Sequence, residues 1–356
     1  MAPSPTFPSA TEEAILKTLW FILVLAMLIM YVVLDGFDLG AGALYPFVAK
    51  TESERRQIFR AIGPVWDGNE VWLIAAGGTL FFAFPILYAV SFSGFYLPLI
   101  IVLWLLMMRG VALELRPHVG HPLWGSFWGG VFFMGSALLA VFYGAALGNV
   151  MRGVPIDQTG YFFLPLWTNF DPRNPLPGIL DWYTLLTGLL ALSILVQHGA
   201  HYLMLKTTDA LHDRCRLVAR GGWGGLVVLT IMTTIATFSL RPELFTNLHE
   251  HPWGYLFPAF GLLGLVAMGY FSWWGGDLEV FYGSSVYIAG MMASAAFVCY
   301  PDVLPAIDPR MSLTIDNSAT SSYGMAVGLV WWCIGMVLAA GYFYFIYRLF
   351  RGKVAP

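Results

Sequence analysis

Charge is what this sequence has least of: only 11% of its residues are Asp, Glu, Lys or Arg, against about 25% in soluble domains. Set beside 58% hydrophobic residues and a mean hydropathy of +0.70, that shortage excludes a soluble globular chain. It also makes length a poor guide to domain number. A net charge of −3 gives no basic surface for nucleic acid. Cysteine is scarce too. Cys215, Cys299 and Cys333 show no CxxC or metal spacing, so they define no disulfide framework. The opening MAPSPTFPSATEE has no basic region of a secretory signal and reads as an external tail, residues 1–13. Repeats and low-complexity segments are missing, and no connection is long enough for a soluble domain.

Histidine is present seven times, yet none falls at the centre of an apolar run opposite a partner. His118 and His121 lie in one loop, His249 and His251 in another, and His212 in a basic connection. His198 and His201 stand three apart near the inner end of a helix. An axial haem ligand needs a buried His, Met or Cys aimed at the iron, and the fifteen methionines read as packing residues. The sequence therefore predicts no haem and no metal on this chain.

What is abundant is apolar sequence in spans of about 20 residues, the length that crosses a bilayer. Such runs fall at 14–34, 71–89, 90–108, 126–148, 181–205, 222–240, 255–274, 284–304 and 324–347, predicting an all-α membrane protein with nine helices. The second and third, parted only by Ser91, Ser93 and Gly94, are expected to form a tight hairpin. The alternation places thirteen of the eighteen Lys and Arg on one side. The other side keeps Lys17, Arg152, Arg173, Arg241 and Arg310. By the positive-inside bias the N-terminus is outside and the C-terminus inside. One membrane domain, 14–348, then carries an ordered external loop at about 149–180 and a cytoplasmic tail, 349–356. Asp277 and Glu279, in a short inner connection, are expected to be solvated.

Two acidic knots interrupt the apolar sequence. YVVLDGFDLGAG carries Asp35 and Asp38, and GPVWDGNEVW carries Asp67 and Glu70. Each pair is spaced i,i+3 and shares a helix face. Carboxyl groups at or inside the hydrocarbon are costly and mark functional sites. They suit proton transfer, since a low-dielectric carboxyl group holds and passes protons. A plainer reading makes Asp35 and Asp38 interfacial acids satisfied by Lys50 or backbone donors, and Asp67 a helix cap. Gly36 and Gly40 are spaced for close approach of a neighbouring helix. Trp66 and Trp72, flanking Asn69, offer flat surfaces to a quinone or lipid, or simply belong to an interfacial aromatic belt. Arg109 either snorkels to the inner surface or pairs with one of these acids. A secondary transporter would also place carboxyl groups in the membrane, but no pair of broken helices in matching halves is visible.

These residues carry a family resemblance. LDGFDLGAG (34–42), GPVWDGNEVWLIAAGGTLFFAFPILYA (63–89) and FSGFYLPL (92–99) resemble subunit II of the cytochrome bd-type quinol oxidases. GNVMRGVP (148–155), GILDWYTLLTGLLAL (178–192) and HGAHYLMLKT (198–207) fit it in the same order. The resemblance implies two four-helix bundles plus one additional helix. It also implies a bacterial-type cytoplasmic membrane and a respiratory complex that oxidises ubiquinol or menaquinol, reduces dioxygen to water and generates a proton gradient. Haems b and d would be held by subunit I, the partner in a heterodimer, with a small single-helix subunit as a further partner and a structural quinone as a further ligand. Asp35, Asp38, Asp67 and Glu70 would belong to the proton path, with Arg109 and Asn69 tuning it.

Overall fold

The computed structural model describes residues 10–354. Among the described residues the regular structure is all-helical apart from one small hairpin. Its elements are α1 (Ala10–Val48), α2 (Glu52–Ile62), α3 (Trp66–Ala83), α4 (Pro85–Gly94), α5 (Tyr96–Leu115), α6 (Pro122–Arg152), α7 (Trp182–Lys206) and α8 (Asp209–Leu240). Then come α9 (Phe245–Glu250), α10 (Leu256–Trp274), α11 (Asp277–Cys299), β1 (Asp302–Leu304), β2 (Leu313–Thr314), α12 (Ile315–Ser318) and α13 (Ser322–Leu349). Of the expected N-terminal tail, residues 1–9 lie outside the described residues, and 10–13 already belong to α1. Residues 355 and 356 of the expected C-terminal tail also lie outside them.

Helix α1 neighbours α3, α6 and α7, and α5 packs on α6. On the other side α7, α8, α10 and α11 pack among themselves. The two groups meet along α1–α7 and α6–α7, while α13 lies outside both, against α1. The α1–α7 crossing is unusually close. A Cβ on Gly40 would stand 1.7 Å from the Leu195 carbonyl oxygen, and one on Gly199 would meet the Ala41 nitrogen at 2.3 Å. Only glycine permits backbones to touch there, and in a membrane such contact substitutes for the absent hydrophobic drive between helices.

Eight helices among the described residues are long and apolar enough to cross a membrane. Helix α3 is not among them, because Asp67, Asn69 and Glu70 in its first turns dilute an otherwise apolar segment. It nevertheless runs beside α13. The Tyr347 hydroxyl donates to Asn69 at one end, and the Thr320 amide donates to the Ala83 carbonyl at the other.

The expected second and third spans, 71–89 and 90–108, are divided differently. Pro85, with no N–H to give, sits at the first position of α4 and ends α3 at Ala83. The turn near Ser91–Gly94 is therefore a joint between the ten-residue α4 and α5, not the tip of a hairpin of two long helices. The expected 284–304 span begins seven residues earlier, at Asp277, and ends at Cys299. The β1–β2 hairpin follows it, pairing Asp302 with Thr314.

The long connection after α6 is ordered by a buried polar node. Arg152 donates to Asp181, to the Gly178 carbonyl (3.2 Å) and to Asn149 Oδ1 (2.6 Å). Asp181 in turn caps α7, accepting from the Tyr183 and Thr184 amides at 2.8 Å each. At the opposite end the C-terminal segment is tied down: the Val354 amide donates to the Lys206 carbonyl (2.7 Å) and Gln57 Nε2 to the Val354 carbonyl (2.8 Å).

Candidate functional site

Where α1, α3 and α5 converge, a guanidinium is buried among carboxyl groups. Arg109, on the last third of α5, is fully buried. Its Nη1 donates to Asp35 Oδ1 at 2.6 Å and its Nη2 to Glu70 Oε2 at 3.1 Å. Asp38, one turn beyond Asp35 and equally buried, accepts from Asn69 Nδ2 at 2.8 Å. Asn69 Nδ2 also donates to the Leu34 carbonyl (3.3 Å), and its Oδ1 accepts from Tyr347 Oη at 2.7 Å. The spacings explain why these side chains meet: i,i+3 on α1 presents Asp35 and Asp38 together, while of the successive residues Asn69 and Glu70 the first bonds Asp38 and the second shares the Arg109 guanidinium with Asp35.

Three of the four expected acids are thus brought together, with Arg109 and Asn69 between them. Asp67 is not. It is exposed and stands outside the ion pairs, in the first turn of α3. Nor does it cap that helix, because the cap residue is Val65 and no side chain bonds there. Arg109 does not snorkel; its ionic partners hold it inside. Removing one partner of such a buried pair typically costs about 3–5 kcal/mol, because the other charge is left uncompensated. Asp35 Oδ2 and Asp38 Oδ1 remain buried without a partner among the described residues. A proton or a water molecule satisfies such an oxygen, so the cluster has places to receive either.

Residues 16–350 match the family model for cytochrome bd terminal oxidase subunit II. The chain belongs to this family. A probable cytochrome oxidase subunit 2 of Haemophilus influenzae is 34% identical over 95% of this chain and 95% of its own length. The cytochrome bd ubiquinol oxidase subunit 2 of Bacillus subtilis is 35% identical over 67% of each chain. The cytochrome bd-I ubiquinol oxidase subunit 2 of Escherichia coli is 38% identical over 59% of this chain and 54% of its own. Among solved structures, a chain of the bd oxidase from Geobacillus thermodenitrificans superposes with a TM-score of 0.72 at 19% identity. That match covers 94% of this chain and 98% of the other, and bears on the fold.

The remaining candidates of this bd subunit II are placed as follows. Trp72 is buried, its ring 5.4 Å from Phe343, inside a packed layer rather than open to lipid. Trp66 is half-buried and lies over Gly110. His198 is bonded on both ring nitrogens, to Ser284 Oγ (2.7 Å) and to the Val33 carbonyl (2.8 Å), while Phe281 stacks flat on it at 4.8 Å. His201 reaches the same hydroxyl at 3.0 Å. A ring occupied at both nitrogens and covered on its face does not fit an axial haem ligand. Among the described residues no group of three or more His, Cys, Asp or Glu is placed to hold a metal.

Asp277, expected to be solvated, is instead gripped by Arg216 (2.6 Å) and His212 (3.0 Å), with Lys353 at 3.4 Å. The basic residues come from α8 and the C-terminal tail, which a local sequence window cannot show.

Sequence reading missed two groups of this site. Tyr31, hydroxyl to hydroxyl with Tyr143 at 2.8 Å, lies one turn before Asp35 on the same helix face, a spacing that pointed to it. Tyr347 lies 278 positions from Asn69, and nothing local signals it.

Proposed function

We propose that this chain is the haem-free scaffold and proton-delivery subunit of a quinol-oxidising terminal oxidase that reduces dioxygen to water. The observation that carries the reading is the Arg109 fork spanning Asp35 and Glu70, beside Asp38. Three carboxyl groups around one guanidinium form a costly buried cluster with no need in a mere scaffold. Carboxyl groups gathered this closely about one charge can hold a proton and pass it on. Dioxygen reduction consumes protons that must travel through protein rather than lipid. Asp67, exposed one turn from Glu70, is the acid from which the cluster is supplied.

Haems b and d and the oxygen chemistry belong on subunit I, in keeping with the imidazole of His198, which is bonded at both ring nitrogens. The relatives from E. coli and B. subtilis are ubiquinol oxidase subunits by name; here the substrate class is quinol, ubiquinol or menaquinol. Trp66, being half-buried, is the tryptophan that a structural quinone or lipid reaches. The chain is a single membrane domain, 14–348, with α3 as a ninth crossing, set in a bacterial cytoplasmic membrane. The external N-terminal tail, the cytoplasmic C-terminal tail and a small single-helix third subunit complete the arrangement.

The test is a reduced-minus-oxidised spectrum of membranes lacking this chain, with quinol-driven oxygen consumption measured in parallel. Loss of haem-d absorbance and of that consumption is expected; retention of both overturns the reading.

A further inference from the structure

Helix α13 is bound to the rest of the chain in an uneven way. Along its 28 residues Met325 is the only buried one among those described. Near its start the Trp20 indole N–H donates to the Met325 carbonyl (3.2 Å). Near its end Tyr347 Oη donates to Asn69 Oδ1 (2.7 Å). Tyr342 and Phe343 meet α3 through Gly68 and Trp72. A shallow groove lined by Tyr344, Tyr347, Arg348 and Arg351 lies open on the surface beside Tyr347.

The bond to Asn69 matters because of what Asn69 does next. Its amide nitrogen has two acceptors on α1, the Leu34 carbonyl and Asp38 Oδ2. Its oxygen has Tyr347 alone as a partner among the described residues. An amide turned the other way would point its oxygen at Asp38 and could then bond only a protonated carboxyl. The Leu34 carbonyl and Asp38 select the nitrogen side, and the phenol, by bonding the amide oxygen, holds the side chain so that an N–H donor, which favours the carboxylate, stays facing Asp38.

We infer that Tyr347 is a positioning residue for the acidic cluster: acting through Asn69, it lets the seating of α13 set how readily Asp38 gives up its proton. This rests on the proton-delivery reading above. The groups facing Asp38 are Asp35 on its own helix, Arg109 from α5, Asn69 and Glu70 from α3, Tyr202 from α7 and Tyr347 from α13. Tyr347 is the contribution of α13, a helix with a single buried residue among those described, and it lies beside an open surface groove.

Tyr347→Phe in the whole oxidase complex keeps the ring and removes only the hydroxyl. Its haem content should equal that of the parent, which separates the effect from failed assembly. Turnover should fall several-fold, and the pH limb governed by the cluster should move upward by about half a unit. That shift is a fraction of what full loss of a hydrogen bond to a charged group gives. Because Tyr347 acts through Asn69, Tyr347→Phe should add nothing further in an Asn69→Ala background.

An unchanged pH profile in Tyr347→Phe, or an equal shift with and without Asn69, overturns the inference. Asp38→Asn supplies the distinction from the reading beneath it. If Asp38→Asn leaves turnover and pH profile unaltered, proton delivery through this cluster fails. If it impairs them while Tyr347→Phe does not, only the role of Tyr347 fails.

Discussion

At the scale of single residues, burial separates acids that look equivalent in sequence. Asp35 and Asp38 are fully enclosed and Glu70 is half-buried, whereas Asp67 faces outward. Replacing a buried carboxyl group by its amide keeps shape and removes the titratable proton. Glu70→Gln should therefore preserve haem content but lower quinol-driven oxygen consumption by about tenfold or more, the usual scale for losing a positioned proton donor. Asp35→Asn should slow it as much and also destabilise the complex by up to about 3–5 kcal/mol, because buried Arg109 loses its nearer counter-charge. Asp67→Asn should cost only about two- to threefold, chiefly at alkaline pH, because water can replace an exposed donor. Oxygen-electrode assays across roughly pH 6 to 9 check all three. Unaltered rates throughout would reduce these acids to packing groups.

At the scale of elements, two contacts fix how helices sit. The first is the Gly40–Leu195 approach between α1 and α7. Gly40→Ala has no room for its methyl group and should force the helices apart, costing about 1–3 kcal/mol as overpacking. The thermal midpoint of the purified complex should drop, whereas Ala in place of Gly77, which faces open space, should leave it nearly unchanged.

The second contact is Glu54 on α2, which closes a capping box with Thr51 and accepts from Arg214 of α8. Burial disfavours its ionised form, but the Lys50 amide, Arg214 and the Thr51 amide outweigh this and hold its carboxyl below the ordinary value of 4.5. A depressed carboxyl contributes stability that is fully present above its unfolded value and is lost as pH falls through the folded one. The complex should therefore lose stability on acidification below about pH 4.5, and Glu54→Gln should flatten that part of the profile in a pH series of melting curves.

At the scale of the whole molecule, sidedness organises the rest. The acidic cluster, the C-terminal tail and the basic α2 and α8 ends share one end of the bundle, and the Arg152–Asp181 node with the β1–β2 hairpin occupies the other. A single cysteine placed near Asp171 should react with an impermeant maleimide from outside the cell, and one near Arg56 only after the membrane is opened. The reverse pattern would undo the orientation and the cytoplasmic supply of protons to the cluster.

Much of this was legible in the sequence because a bilayer leaves few choices. Long apolar runs must be helices there, since no water satisfies a bare backbone, and the i,i+3 spacing of Asp35 and Asp38 put both on one face of α1. The motifs around Asp35, Asp38, Asp67 and Glu70 carried the family. Tertiary structure decided what depends on distant partners. Whether Arg109 snorkels or pairs was settled by Asp35 and Glu70, contributed by two other helices. Asp277 proved to be held rather than solvated because α8 and the C-terminal tail bring cations to it. Asp67 parted from its neighbours because a helix face is defined by what packs against it. The Tyr347–Asn69 bond closes a gap of 278 residues, and local sequence carries no information about a contact that exists only once the bundle has closed.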